Sequence, residues 1–288
     1  MVRPIGTPAR DALDGARTAI GAAGCDAPRL DAELLLAHVL GVSRERLLID
    51  HELLVAGPAV RAFQDAVRRR AVLREPVAYI LGRRGFRHIE LQVDPRVLIP
   101  RPETELLVEI GLTLPAGARV LDVGTGSGAV ALALKQERPD LRVSASDVSA
   151  DALAVARANG ERIGLEVSWL CADLLAGVPD EFDAILSNPP YVAERERAQL
   201  APEITRHEPA LALFAESDGL ALLGALLSAA GVRTRVRTVA LEVGDGQAAA
   251  VRELARMAGF PGVRVERDLA GIERVVVAQR GADATGAG

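Results

Sequence analysis

The sequence predicts an α/β fold, a mostly parallel sheet of seven strands covered on both faces by helices, preceded by a small all-α bundle and a β-hairpin linker. Three observations predict it. From Arg119 onward, short apolar runs alternate with stretches of helical period. A glycine-rich turn, Gly124-Thr125-Gly126-Ser127-Gly128, follows the first of those runs. Before Glu75, by contrast, apolar residues recur at three and four, the period of helices alone.

Composition bounds the function. At 288 residues the chain is long enough for one large or two ordinary domains, and 49% hydrophobic with 25% charged residues describes a globular protein with ample core. A net charge of −5 argues against a broad phosphate-binding surface. Basic charge is almost all arginine, Lys135 being the only lysine, which reads as the codon bias of a GC-rich genome rather than as a ligand preference. Cys25 and Cys171 lie far apart with no Cys/His ligand spacing, so no metal site and a reducing compartment are expected. Met1 to Arg10 has no apolar signal core, and no stretch approaches the ~18 apolar residues of a membrane span. The expectation is a cytoplasmic protein with no membrane segment.

Taken in order, Ala12, Leu13, Ala16 and Ile20 mark a first helix, broken at Gly21 to Gly24. Asp26 and Pro28 open a second, through Leu30, Leu34, Leu35 and Leu40, closed by Gly41. A third follows Ser43, and a fourth runs from about Pro58 to Leu73 with Val60, Phe63 and Val67 inward. This bundle, residues 1–75, reads as a substrate-recognition domain. Residues 76–100 form the linker, with Tyr79 to Val93 as short strands around Gly82 and Gly85. Leu98-Ile99-Pro100-Arg101-Pro102-Glu103-Thr104-Glu105 then opens a helix, since Pro102 and the following acids suit a first turn. Capping does not need Arg101, so this segment is also expected to line a cleft and Arg101 to contact substrate.

The main domain, residues 101–280, places strands at Arg119–Val123, Leu141–Ser146, Glu166–Leu170, Phe182–Ser187, Thr238–Val243, Val263–Val265 and Arg274–Ala278. Helices fall at Ala129–Glu137, Ser149–Ile163, Gly219–Ala230 and Gln247–Ala258. The small, polar tail at 281–288 reads as disordered.

The chemistry centres on Asn188-Pro189-Pro190-Tyr191, at the end of an apolar strand where ligands bind in open α/β sheets. Proline has no N–H, so the ladder stops here and the carbonyls of Asn188 and Pro189 are free to meet a ligand. With the Asn188 side-chain oxygen they can accept both hydrogens of a planar NH2 group, and Tyr191 offers a face for stacking. A conjugated NH2 is a poor nucleophile. Acceptors that hold its hydrogens can turn its lone pair toward an electrophile and stabilise the positive charge that develops, without a strong base.

Glycines at the first turn let the backbone approach a ligand closely. Asp147, about 20 residues on, ends the second strand, where an acid holds ribose hydroxyls. Asp173 and Leu174, after the third strand, are placed to contact adenine. The glycines run GxGxG rather than the GxGxxG of dinucleotide sites, which with Asp122 favours S-adenosylmethionine over NAD. Gly124, Thr125, Gly126, Ser127, Gly128, Asp147, Asp173, Leu174 and Asn188 are thus the expected cofactor contacts.

Over nearly its whole length the chain resembles the protein-(glutamine-N5) methyltransferases that modify peptide-chain release factors. The resemblance rests on Glu75-Pro76-Val77-Ala78-Tyr79-Ile80-Leu81-Gly82, Val97 to Glu105, Asp122 to Gly128, Asn188 to Tyr191, His207-Glu208-Pro209 and Leu241 to Gln247. It departs at Gly85 and at Phe214-Ala215-Glu216-Ser217, both read as connecting segments. The resemblance implies a class I, Rossmann-like methyltransferase. It implies methyl transfer to the glutamine of the Gly-Gly-Gln loop of class 1 release factors, with a helical domain that holds the factor. It also implies that Asn188, Pro189, Pro190 and Tyr191 form the catalytic and substrate-binding stretch, with Asn188 and the Pro189 carbonyl holding the glutamine NH2 and Tyr191 packing against its side chain. An adenine-N6 methyltransferase poses the same chemical problem and would use Arg61, Arg68, Arg69 and Arg70 on nucleic acid. Intervening acids such as Asp11, Asp31 and Glu33 argue for a solvated face instead, so no direct nucleic-acid binding is expected. A catalytically silent binding protein would have lost Asn188 or the glycines, and neither is lost. Glu242 and Gln247, at the end of the fifth strand, read equally as strand caps or cofactor contacts.

Overall fold

The computed structural model describes residues 6–50, 52–215 and 219–281. His51, Glu216, Ser217 and the expected tail beyond Gly281 lie outside them. The chain forms two compact units, Met1–Arg83 with Ala201–His207, and Arg84–Leu200 with Glu208–Gly288. The helical unit therefore runs past the expected end at 75 and takes in a segment from far along the chain.

In the first unit, β1 (Thr7–Pro8) leads into α1 (Ala9–Ala22), α2 (Pro28–Leu40) and α3 (Arg44–Ile49). β2 (Leu54–Val55) pairs antiparallel with β1, and α4 (Pro58–Ala71) and α5 (Val77–Leu81) follow. Ser43 caps α3 by accepting the Arg46 N–H, as its position predicts. Asp26 does not cap α2; Ala27 holds that position and Pro28 takes the first turn. Ile20, Leu35, Leu36, Leu47 and Phe63 form the core, while Leu30, expected inward, is 41% exposed. Tyr79 to Leu81 are helical rather than extended: α5 starts after Pro76 and stops at Gly82, whose φ of 68° makes the left-handed end.

The basic side of α4 is a solvated face only in part: Arg61 and Arg68 are exposed, whereas Arg69 and Arg70 turn to carboxylates of the same unit. Arg70 is buried and donates to Asp31 Oδ2 at 2.6 Å and to Glu203 Oε1 at 3.2 Å. Arg74 donates to Glu203 Oε2 at 2.6 Å, and Arg69 makes two bonds to Glu75. The guanidinium groups of Arg69, Arg70 and Arg74 complete internal ion pairs, and the segment 201–207 is held in this unit through Glu203.

The second unit opens with the hairpin β3 (Arg83–Phe86) and β4 (Ile89–Gln92), as expected, with Gly85 inside β3. Pro102–Thr104 make one 3-10 turn before α6 (Glu105–Leu112). Then follow β5 (Arg119–Val123), α7 (Ala129–Glu137), β6 (Arg142–Asp147), α8 (Ala150–Ile163), β7 (Ser168–Cys171) and β8 (Ala184–Ser187). β9 (Val192–Ala193) comes directly after the Pro-Pro turn, and α9 (Pro202–His207) is the segment that belongs to the first unit. α10 (Ala210–Leu213) and β10 (Phe214–Ala215) follow. β10 pairs parallel with β9, so Phe214 and Ala215 are ladder residues rather than a connecting turn. α11 (Ala221–Gly231), β11 (Thr238–Glu242), α12 (Ala248–Met257), β12 (Gly262–Arg267) and β13 (Glu273–Gln279) complete the chain.

The seven-stranded sheet runs β12-β13-β11-β8-β5-β6-β7, with β13 antiparallel to its neighbours and β11, β8, β5, β6 and β7 parallel. Side chains alternate: Val120, Ala184, Leu186 and Ala240 face a core shared with α6, α7 and the hairpin, whereas Leu121, Ile185, Val239 and Leu241 face α11 and α12. The order reverses between β5 and β8, the switch point where a crevice opens. Val123 pairs with Ser187 and Ser146, and Ser187 with Leu241. The next residue of each strand, Gly124, Asn188, Asp147 and Glu242, therefore lies at one level along the sheet's carboxyl edge.

Candidate active site

A cavity of about 340 Å³ opens at that edge. Gly124, Gly126, Asp147, Asp173, Leu174, Asn188, Pro189 and Pro190, all singled out by the sequence, line it together. Thr125, Ser127 and Arg101 line a smaller adjoining cavity of about 50 Å³, which shares Gly124, Gly126 and Asn188 with the first. Gly128 and Tyr191 line neither. Gly128 instead begins α7 with φ 84°, and Tyr191 packs against the core on the α11–α12 side.

The turn after β5 is held from below. Asp122, 2% exposed, accepts the Thr125 hydroxyl at 2.6 Å and the Ala131 N–H at 3.3 Å, tying the turn to the first residues of α7. Burial pushes this carboxyl up to about 7, against the two hydrogen bonds that lower it. The Ser146 carbonyl accepts from both Gly124 and Thr125 N–H. Asp147 accepts Gly126 N–H through Oδ2 at 2.9 Å and Ser149 N–H through Oδ1 at 2.9 Å, so its carboxylate is fixed facing the turn, and burial raises its pKa. Each oxygen keeps a lone pair for a ligand hydroxyl. Asn159, fully buried, donates to Ser127 O and Gln92 O and accepts from Gln92 N–H, joining the glycine turn to the hairpin.

These residues suit S-adenosylmethionine. Gly126 has φ 55°, and a Cβ added there would meet nothing within 4 Å; the backbone stands open to a ligand. Asp147 has acceptors that a ribose diol could use, and Val148, Ala172, Leu174, Leu211 and Leu222 give the cavity apolar walls that could take an adenine. Leu174 takes φ 50°, a left-handed conformation costing a leucine about 1–3 kcal/mol, at a ligand-facing position where such strain collects. Trp169 packs among the core residues covered by α7, touching the positions of Gly128 and Gly160.

The opposite wall is set by groups the sequence reading left undecided or missed. Asn188 Nδ2 donates to Thr104 Oγ1 at 3.1 Å, and the Thr104 hydroxyl donates to Glu242 Oε2 at 2.7 Å. The Tyr191 hydroxyl donates to Glu242 Oε1 at 3.2 Å. Glu242 is 1% exposed; it anchors both ends of the Asn-Pro-Pro-Tyr stretch rather than capping the strand, and lines neither cavity. Burial, with the nearby Glu242 charge, drives the Tyr191 phenol well above its ordinary pKa, so it stays a donor. Gln247 Nε2 donates to Tyr191 O at 3.0 Å, and Gln247 Oε1 accepts Gly244 N–H at 2.9 Å. Arg101 donates to Glu208 Oε1 at 2.5 Å, and Glu208 Oε2 accepts Ile99 N–H at 3.2 Å, pinning the 99–101 strap. A signal existed for both acids: Glu242 ends the otherwise uncharged run Thr238-Val239-Ala240-Leu241, and Glu208 sits between His207 and Pro209 in a string already singled out.

Among the described residues no group of three or more His, Cys, Asp or Glu is placed to hold a metal ion, and no helix is long and apolar enough to cross a membrane. The methyltransferase small domain family matches residues 102–212, and the PrmC N-terminal domain family matches residues 11–82. The chain is 46% identical over 254 residues to the release factor glutamine methyltransferase of Bordetella pertussis, covering 86% of this chain and 93% of that protein. It is 39% identical over 275 residues to the protein of the same name from Deinococcus radiodurans, covering 94% and 98%. The solved hMettl16 catalytic domain, in complex with the MAT2A 3′UTR hairpin 6, aligns over 81% of this chain and 86% of its own with a TM-score of 0.56 at 19% identity, a likeness of fold. The carboxyl-edge cavity, the Asn-Pro-Pro-Tyr stretch and these whole-length similarities agree: the chain belongs to the release factor glutamine methyltransferase family.

Proposed function

We propose that this chain transfers a methyl group from S-adenosylmethionine to the side-chain amide nitrogen of a release-factor glutamine, the one in the Gly-Gly-Gln loop of class 1 factors. The observation that carries the reading is the junction of β5 and β8. Their paired ends place the glycine turn beside Asn188, with the Asn188 carbonyl 3.9 Å from where a Gly124 Cβ would lie. A cofactor on the turn and an amide on Asn188 then share one crevice.

When bound, S-adenosylmethionine supplies an electrophilic methyl on a positively charged sulfur. Gly124 and Gly126 let its amino-acid tail approach the backbone, Asp147 holds the ribose, and Asp173 and Leu174 border the adenine. Asn188 Oδ1 and the Pro189 carbonyl accept the hydrogens of the glutamine NH2, so the nitrogen lone pair turns toward the methyl. The same acceptors would stabilise the positive charge that grows on the glutamine nitrogen as it takes up the methyl group. Solvent takes the surplus proton. Orientation rather than base catalysis provides most of the rate, and well-oriented pairs gain about 7–11 kcal/mol from it. Tyr191, which lines neither cavity and whose hydroxyl is engaged by Glu242, acts from behind the site by holding the end of the Asn-Pro-Pro-Tyr stretch. Arg101, at the smaller cavity, contacts the substrate backbone or stays on Glu208.

The helical unit, residues 1–83, holds the release factor, and the protein works in the cytoplasm where such factors act. Supporting this over nucleic acid, Arg69 and Arg70, two of the four arginines such binding would use, are spent on internal ion pairs, while Arg61 and Arg68 stay exposed. The test offers labelled S-adenosylmethionine with three acceptors: a release factor, its loop Gln→Ala variant and duplex DNA. Label on the first alone is expected; label on DNA, or on the Gln→Ala variant equally, overturns the reading.

A further inference from the structure

The amide of Asn188 can present either its oxygen or its NH2 to a ligand, because the two ends have nearly the same shape. What faces the other end decides. An ionised carboxylate only accepts hydrogen bonds, so the single hydrogen of the Thr104 hydroxyl goes to Glu242 Oε2, 2.7 Å away. That hydroxyl then has only lone pairs left for Asn188, 3.1 Å away, and the Asn188 NH2 must be the donor. Among the described residues Asn188 Oδ1 accepts no hydrogen bond, and Asn188 lines both cavities. Thr104 and Glu242 are 5% and 1% exposed, so water cannot substitute for either partner. The second Glu242 oxygen is committed to the Tyr191 hydroxyl, which stops the carboxylate from turning.

We propose that Glu242 and Thr104 form a polarity relay that fixes the acceptor end of Asn188 toward the substrate, and that this relay makes the site select an amide over a carboxylate. The proposal rests on the activity given above and deepens it by assigning positioning and specificity roles to two residues. A glutamine brings two N–H hydrogens to the outward lone pairs of Asn188 and Pro189. A glutamate brings none, together with a negative charge, and is rejected. A merely structural buried carboxylate would pin the same segments without depending on which atom donates.

The relay has a direction, and protonation reverses it. Burial pushes the Glu242 carboxyl up to about 7, with Thr104, Tyr191 and Arg274 acting against the rise and Glu103 adding to it. A neutral Glu242 can donate to Thr104, whose hydrogen then points at Asn188 and favours the turned amide. Selectivity is therefore highest above that pH and declines below it.

The test measures binding of a release factor and of its loop Gln→Glu variant to the full-length chain at pH 8, with S-adenosylhomocysteine present. Wild type is expected to favour glutamine by about tenfold or more, since a site that offers only acceptors leaves the carboxylate unpaired. Thr104→Val keeps the shape and removes the relay; the preference falls to within about twofold, while Thr104→Ser restores it. S-adenosylhomocysteine affinity, measured separately, stays within about twofold in both variants if only the relay is touched. A Thr104→Val protein that keeps the wild-type preference overturns the relay. If that variant fails to bind S-adenosylhomocysteine, the wild-type profile decides: a preference that does not decline from pH 8 to pH 6 overturns it. A wild type that methylates the factor yet shows no preference overturns the relay and leaves the activity standing, whereas one that neither methylates nor binds the factor overturns the activity and the relay with it.

Discussion

Alanine in place of Gly128 adds a methyl group where both backbone and packing resist it. The residue sits at φ 84°, in the left-handed region, which costs an L side chain about 1–2 kcal/mol. The new Cβ would lie 2.9 Å from Leu132 Cδ1 and 3.3 Å from both Ala156 Cβ and Trp169 Cη2. Leu132 can yield by turning its side chain. Ala156 and the indole can yield only if α8 or β7 moves, and such overpacking costs about 1–3 kcal/mol. Together the loss is about 2–5 kcal/mol. Trp169 is the only tryptophan in the chain, so denaturant unfolding followed by its fluorescence reports on the unit that carries the turn. At unchanged slope the midpoint is expected to fall by that loss divided by the slope. Gly126→Ala is the control, with φ 55° and nothing within 4 Å of the added Cβ. It loses only the backbone share, about 1–2 kcal/mol, but its methyl stands at the cavity and weakens S-adenosylmethionine binding by about tenfold. If Gly128→Ala is no more destabilising than Gly126→Ala, the packing argument for glycine at 128 is refuted.

Three further expectations follow from buried polar groups. Asp122 and Glu242 both have carboxyls raised to about 7, chiefly by burial, with Asp147 adding to the rise at Asp122. The fold thus keeps protons that the unfolded chain releases, so stability falls as the pH rises from about 4 to about 7, by at most ~1.4 kcal/mol per unit for each group, and levels off above. Asp122→Asn can keep the bonds to Thr125 and Ala131 through one oxygen and should flatten about half of that slope in unfolding measured across pH; an unchanged slope contradicts the assignment. Asn159→Ala removes three hydrogen bonds and strands backbone groups of Gln92 and Ser127, a loss of about 2–4 kcal/mol by the same unfolding assay. Glu208→Gln can retain the bond to Ile99 N–H but loses the Arg101 ion pair, whose arginine side chain is 32% exposed, so about 1–2 kcal/mol is expected; a double-mutant cycle with Arg101→Gln should show a coupling near 1 kcal/mol, and none would contradict the pairing.

Most of the fold is legible in the sequence because its central strands β5, β8 and β11 are buried on both faces and therefore read as apolar runs between helical periods. The cofactor wall is legible for a related reason: glycines and an acid at strand ends have few other uses. Tyr79 to Leu81 mislead because a run this short carries no period; only the flanking Pro76 and Gly82 distinguish a helix turn from a strand. Arg70 misleads because its partners lie 39 and 133 residues away, and a spacing rule sees only local neighbours. Glu203 and the 201–207 helix belong to the first unit for that same non-local reason. Glu242 and Thr104 are visible as residue types, yet their meeting depends on β11 pairing with β8 and on the turn before α6, which no linear pattern encodes.

The central claim is that Asn188 presents a release-factor glutamine amide to a methyl donor held by the neighbouring glycine turn. Its most direct test is single-turnover transfer of an isotopically labelled methyl group to a release factor by wild type and Asn188→Ala, with the labelled atom located by fragment mass spectrometry. The account predicts label on the side-chain nitrogen of the loop glutamine, transferred about 10²–10³-fold more slowly by Asn188→Ala at saturating cofactor. Label on any other atom, or a variant as fast as wild type, contradicts it.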